Sequence, residues 1–137
     1  MRIVAATLAL ALVLGCKDST EPAVINGTYT LKTVRDDPLP AVVIDGIDYA
    51  YKITAGSITL NGDLTFSDSR SYWQYVAGNV TTGTVACTGQ WEPTSERTFT
   101  LSETSVGLCG VTGTGEWDGR NRVTVAWYDI GTAGYRR

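Results

Sequence analysis

The sequence contains no histidine, one methionine, two phenylalanines and three cysteines, and only 18% of its residues are charged. Without histidine a Ser-His-Asp triad, a Cys-His pair and histidine metal ligation are excluded. Positive charge is not in surplus: eleven Lys and Arg stand against fourteen Asp and Glu, a formal net charge of −3. That balance gives no electrostatic footprint for nucleic acid. No apolar run after Leu14 approaches the roughly 20 residues a spanning helix needs, and no later window shows a helical period. The carboxylates Asp45, Asp48, Asp63, Asp68, Glu92, Glu103, Glu116, Asp118 and Asp129 fall mostly in or beside turns, where solvated acids are ordinary. A glycosidase-like pair is therefore not expected. Asp45-Gly46-Ile47-Asp48 and Asn61-Gly62-Asp63 lack the ligand spacing of a calcium loop and read as turns. The expectation is a protein that is not an enzyme, with no metal and no cofactor.

What is present begins at the N-terminus. Met1-Arg2 is a short positive start, and Ile3 to Leu14 is an apolar run of twelve residues interrupted only by Thr7. This has the form of a secretory signal peptide and is too short for a permanent span. Gly15 and Cys16 follow at once, then the polar run Lys17-Asp18-Ser19-Thr20-Glu21-Pro22.

Val13-Leu14-Gly15-Cys16 resembles the lipobox of bacterial lipoproteins, in which a small residue precedes a cysteine that is diacylated, exposed by cleavage and acylated on its amine. The resemblance implies a signal peptide over residues 1–15, lipidation of Cys16, a tether over 16–25 and a folded domain over 26–137. Two or three acyl chains make attachment effectively stable, since each buried methylene contributes about 0.8 kcal/mol. Fully extended, the eight residues Lys17 to Val24 reach at most about 28 Å, which keeps the domain near the membrane. By the same resemblance the location is the bacterial cell envelope. Lys17, rather than aspartate, after the cysteine favours the outer membrane over the inner.

With Cys16 assigned to lipid, Cys87 and Cys109 remain in an exported chain, where a disulfide is the natural reading and two buried thiols the other. Each cysteine shares strand parity with a nearby tryptophan, Cys87 with Trp91 and Cys109 with Trp117. A bridge between them must cross or skirt the intervening strand at 97–101, because their Cα atoms have to lie within about 7 Å.

From Asn26 onward short runs rich in Thr, Val, Tyr and Trp alternate with glycine-containing turns, a β texture throughout. Strands are expected at 28–34, 49–53, 58–60, 64–66, 70–76, 80–91, 97–101, 109–117 and 122–125. Ala55-Gly56 and Asn61-Gly62-Asp63 read as turns. About eight or nine strands in sequential order predict an all-β antiparallel meander closing into a small barrel, with a β-sandwich as the other possibility. The opening Gly27-Thr28-Tyr29-Thr30-Leu31, a Pro-x-Pro loop and an Asn-Gly hairpin with alternating aromatics resemble the small lipocalin-like domains of bacterial lipoproteins. Tyr49, Tyr51, Trp73, Tyr75, Trp91, Trp117 and Trp127 are the candidates to line a pocket at the barrel mouth, although a barrel of this size has barely enough interior for its own side chains, which favours reading them as the core. The functional expectation is a non-enzymatic protein held at the membrane through lipid on Cys16 that binds a small apolar ligand or an envelope component. The other reading is an interaction module with a filled barrel, recognising its partner through loops such as Asp36 to Asp48.

Overall fold

A computed structural model describes residues 24–104 and 112–137, so the readings that fall on residues 1–23, Cys16 among them, and on Cys109 lie outside the described residues. The described chain holds strands β1 (Gly27–Val34), β2 (Asp37–Pro38), β3 (Ala41–Asp45), β4 (Tyr49–Leu60), β5 (Thr65–Val76), β6 (Asn79–Pro93), β7 (Thr98–Glu103), β8 (Thr112–Trp117), β9 (Arg122–Trp127) and β10 (Gly131–Arg136), and no helix. Every pairing is antiparallel, and β1 pairs with both β10 and β4, so β1 and β4 to β10 close an eight-stranded barrel rather than a sandwich. Closure removes the exposed sheet edges that an open meander would leave. The two extra strands, β2 and β3, form an excursion between β1 and β4.

An even number of barrel strands returns the chain to the end where it entered. The lower end therefore carries Val24 to Gly27, the turns β4–β5, β6–β7 and β8–β9, and the C-terminus. The upper end carries the β1–β2 turn and the turns β3–β4, β5–β6 and β9–β10. Strands β4, β5 and β6 pair with each other out to Tyr49 opposite Val76 and Val76 opposite Asn79. The pairing of β4 with β1 stops at Ser57, and above it β3 takes the place beside β4.

Inward-facing residues follow the alternation of the sequence. Tyr29, Leu31, Ile58, Leu60, Phe66, Phe99, Leu101, Val123, Val125 and Tyr135 are all at least 98% buried. Gly89 and Gly115 face inward among them, each opposite a phenylalanine: Phe66 pairs with Gly89 and Phe99 with Gly115. A Cβ on either glycine would overlap the partner's ring, so the missing side chains leave room for the rings to lie over the neighbouring strand.

Several strands are longer than the sequence reading makes them. The expected strands 49–53 and 58–60 are one strand, β4, with a bulge: Ile53 faces Tyr72 while Ala55 faces Ser71, leaving one extra residue. The parity change at Ala55-Gly56 is thus a bulge and not a turn, and it keeps Ile53 and Ile58 both inward. Likewise 64–66 and 70–76 are a single β5, running straight through Ser67-Asp68-Ser69. The Asn61-Gly62-Asp63 turn is present, yet the left-handed residue is Leu64, with φ of 65°, and the strand resumes at Thr65. Asp63 Oδ1 accepts from the amide (3.0 Å) and hydroxyl (2.6 Å) of Thr65, and the Trp91 amide donates to Leu64 O at 2.8 Å. These bonds hold Leu64 in a conformation that its side chain disfavours.

Candidate functional site at the upper rim

Among the described residues the largest fully buried side chain is charged. Arg70 on β5 is 1% exposed, and Asp68, two residues earlier on the same face, is also 1% exposed. Arg70 Nε lies 2.7 Å from Asp68 Oδ2, a contact ion pair in which the N–H points off the line of approach, so charge rather than alignment holds it. Its Nη1 donates to both oxygens of Asp129 in the β9–β10 turn, at 3.1 and 2.8 Å. The guanidinium carbon stands 5.0 Å from the centre of the Trp127 ring, and Nη2 is 3.7 Å from the Cys87 sulfur. The second Asp68 oxygen accepts from Tyr135 Oη at 3.0 Å, and Tyr135 Oη accepts from Trp127 Nε1 at 2.9 Å. One network therefore joins β5, β9, β10 and their turn across the barrel interior.

Burial governs its ionisation. It pushes the Asp68 carboxyl up, against the opposing pull of Arg70 and the Tyr135 hydroxyl. Burial alone would lower Arg70, but Asp68 and Asp129 outweigh it and keep the guanidinium firmly protonated. Tyr135 is raised well above an ordinary tyrosine by burial and then by the Asp68 charge. Nearer the mouth, Tyr51 is raised chiefly by burial, and its ring packs 5.4 Å from that of Tyr72. With both carboxylates and a π-face around it, Arg70 is committed to the protein, and the network fastens the rim instead of offering an anion site.

A second arginine fastens the rim from outside. Arg35, in the left-handed β1–β2 turn, donates from Nε to Ile130 O at 3.0 Å and from Nη1 to Val43 O at 2.8 Å. The β9–β10 turn is thus gripped by Arg35 through Ile130 and by Arg70 through Asp129. On this braced rim the described chain exposes most of its large apolar side chains: Val42, Ile44, Ile47, Tyr49, Val76, Val80 and Tyr128, with Ile47 95% and Tyr128 87% exposed. Val24 and Leu64 are the other two, both at the lower end. The acids Asp36, Asp37, Asp45 and Asp48 are exposed around the same turns.

The seven aromatics singled out from the sequence fall in four places. Trp91 and Trp127 are 4% exposed and belong to the core, Trp91 edge-on to Phe99 with Nε1 donating to Asn61 O at 2.9 Å. Trp117 packs partly buried at the lower end, its indole Nε1 without a hydrogen-bond partner among the described residues. Tyr49 and Tyr51 share the inward parity of β4, one at the mouth and one half-buried beneath it. Trp73 and Tyr75 have the opposite parity to Arg70 and lie on the outer face, rings 6.4 Å apart and nearly parallel, with Lys52 Nζ 4.9 Å above Trp73. Alternation along β5 separates these two from the rest, so the seven do not share one wall. Asp68, Arg70, Asp129 and Tyr135 were not foreseen as a unit. The signal for part of it was the shared parity of Phe66, Asp68, Arg70 and Tyr72. Cys87 is 1% exposed and faces inward, as its parity predicts.

Surface grooves of about 560, 440 and 320 Å³ run along the described chain; Trp117 lines the first beside Arg97, Tyr135 the second beside Lys32 and Trp91 the third beside Asp63, and Phe66, Arg70 and Trp127 line none of the three. Comparison with protein-family models, with curated proteins and with solved structures gave no match.

Proposed function

We propose that this chain is a membrane-anchored interaction module of the bacterial envelope: lipid on Cys16 holds the barrel by its lower end, and the upper rim docks a protein partner. The observation that carries the reading is the contrast between interior and rim. The barrel centre is occupied by Arg70, Asp68, Phe66, Trp127 and Tyr135, while seven of the nine exposed large apolar side chains of the described chain collect at the upper end. An exposed apolar group on braced turns, ringed by acids, is the character of a docking surface. It fits a partner surface that is apolar at its centre and basic at its margin. This favours the loop-recognition reading over that of a carrier for a small apolar ligand. An outer-membrane location is part of the proposal, resting on Lys17, as is a Cys87–Cys109 bridge, supported by the burial and inward face of Cys87.

A photo-crosslinking residue at Ile47 or Val80 tests the docking surface in intact cells, with the outward Thr124 as control. Discrete adducts are expected from the two rim positions and not from the control; none from the rim, or equal yields from all three, would overturn the reading. Native mass spectrometry of the purified protein is expected to give the bare chain, and a reproducibly retained small molecule would restore the carrier. Cys16→Ala is expected to move the protein from the membrane to the soluble fraction, and intact mass with and without reductant reports the bridge.

A further inference from the structure

The charges of the lower end are segregated. The exposed side chains of Arg97, Arg120, Arg122, Arg136 and Arg137 lie on the turns and strand ends from β6–β7 to β10, with Lys32 higher on β1 on the same side, and the acids among them are Glu96, Glu116 and Asp118. The other lower-end acids, Asp63 and Glu92, lie at the β4–β5 turn and the end of β6. Arg122 and Arg136 pair across β9 and β10, and Arg122 lines both larger grooves, one with Arg97 and the other with Lys32 and Arg136. A chain with a net negative charge has thus placed five of its eleven basic residues on one side of one end, with a sixth, Lys32, above them on the same side.

The start of the described chain is fixed to that same end. Arg137 Nη2 donates to the carbonyls of Val24 (3.1 Å), Ile25 (3.4 Å) and Asn26, while its guanidinium carbon lies 4.9 Å from the Tyr29 ring centre. Tyr29 Oη donates to Ile25 O at 2.5 Å. The chain therefore leaves the barrel at a defined point beside the basic side. Between Val24 and Cys16 there is reach for at most about 28 Å.

We infer that this basic side is a docking face for anionic phospholipid headgroups, setting the anchored barrel in one tilt with the β8–β10 side against the bilayer and the apolar rim turned away. The inference rests on the proposed lipid anchor. Surface charges act within a Debye length, about 8 Å at physiological salt, so a short tether is what brings them into range. Each basic residue near an anionic leaflet favours association about fivefold, and three together on the order of a hundredfold. The lipid supplies attachment, and the arginines supply orientation.

The test uses the full lipidated protein, purified in detergent and reconstituted on vesicles of phosphatidylcholine alone or mixed with phosphatidylglycerol. Flotation reports the anchor, and arginine modification by phenylglyoxal, read by mass spectrometry, reports the face. Arg120, Arg122 and Arg136 are expected to react about fivefold more slowly on the anionic vesicles, and high salt is expected to abolish the difference. Arg35 at the upper end is expected to react alike on both. In the variant Arg120→Glu/Arg122→Glu/Arg136→Glu, with its near-ultraviolet circular dichroism unchanged, Arg97 is expected to lose its protection although the protein still floats. Flotation with equal reactivity on both vesicle types overturns the docking face and leaves the anchor standing. Failure to float on either overturns both.

Discussion

Arg70→Met removes the cation at the centre of the barrel and leaves Asp68 buried, with the Tyr135 hydroxyl as its remaining named partner. Breaking a buried ion pair from one side costs about 3–5 kcal/mol, because the other charge stays in a poor solvent. Taking about 4 kcal/mol and an m-value of about 2 kcal/mol/M, the urea midpoint near pH 7 should fall by about 2 M. The pH dependence identifies the cause. The folded-state pKa of Asp68 is already raised by burial above its unfolded value of 3.8. The folded state therefore binds the proton more tightly, and the contribution of Asp68 to stability is fully present below 3.8 and lost as pH rises through the folded value. Without Arg70 that upper bound moves further up. The deficit of the variant should then be largest near pH 7 and smaller near about pH 4, where a neutral Asp68 needs no counter-charge. Asp68→Asn added to Arg70→Met should recover part of the loss, since an unpaired buried carboxylate is no longer present. A deficit below about 1 kcal/mol, or one of equal size at both pH values, would refute the argument that an uncompensated charge is what destabilises the variant.

Two further substitutions probe the packing. Gly115→Ala places a methyl group in the Phe99 ring and should cost about 1–3 kcal/mol by urea unfolding; an unchanged midpoint would show that β7 and β8 separate freely. Leu64→Gly relieves a left-handed leucine whose side chain is half-exposed, and should stabilise by roughly 0.5–1 kcal/mol; a loss of stability would mean that the leucine side chain contributes more than its backbone strain removes.

Alternation and tight turns made the antiparallel meander legible, and the pairing of β1 with both β10 and β4 decides the barrel over the sandwich. The inward residues Cys87, Gly89 and Trp91 on β6, and Gly115 on β8, have the parity read from the sequence, and tight turns at Asn61 and Asn79 forced neighbouring strands to pair in order. Legibility failed where a local feature has two structural meanings. Ala55-Gly56 marks a change of parity, which a turn and a bulge produce equally well, and only the pairing of Ile53 with Tyr72 and Ala55 with Ser71 separates them. Ser67-Asp68-Ser69 looks like a break because acids belong in solvent, and it is a strand because Arg70, two residues on along the same face, and Tyr135, brought from β10 by the fold, both meet the carboxylate. The closing strand β10, Gly131–Arg136, carries two glycines and an alanine, so its propensity is weak, and it exists because β1 and β9 both offer free edges to it. For the rim, each of Ile47, Val80 and Tyr128 reads singly as an ordinary exposed residue; what gathers them is the topology that sends three separate turns to one end.

That topology also ties the proposals together. In an up-and-down barrel with an even number of strands the termini must share an end, so any tether at the N-terminus leaves the β3–β4, β5–β6 and β9–β10 turns at the far side. Arg137, the last residue, clamps the carbonyls of Val24 to Asn26, which turns this necessity into a fixed exit point. The two arginine contacts at the other end, from the buried Arg70 to Asp129 and from the exposed Arg35 to Ile130, hold the β9–β10 turn from two sides. Preorganised turns lose less entropy on association than free ones, which on the proposed reading is how an interface of a few exposed side chains would reach useful affinity. Loosening the brace without touching the exposed residues, as Arg35→Ala would, should therefore weaken partner crosslinking from Ile47 while Ile47 itself stays in place. Crosslinking unchanged by that substitution would separate the recognition surface from the brace and leave the rim's rigidity without a function.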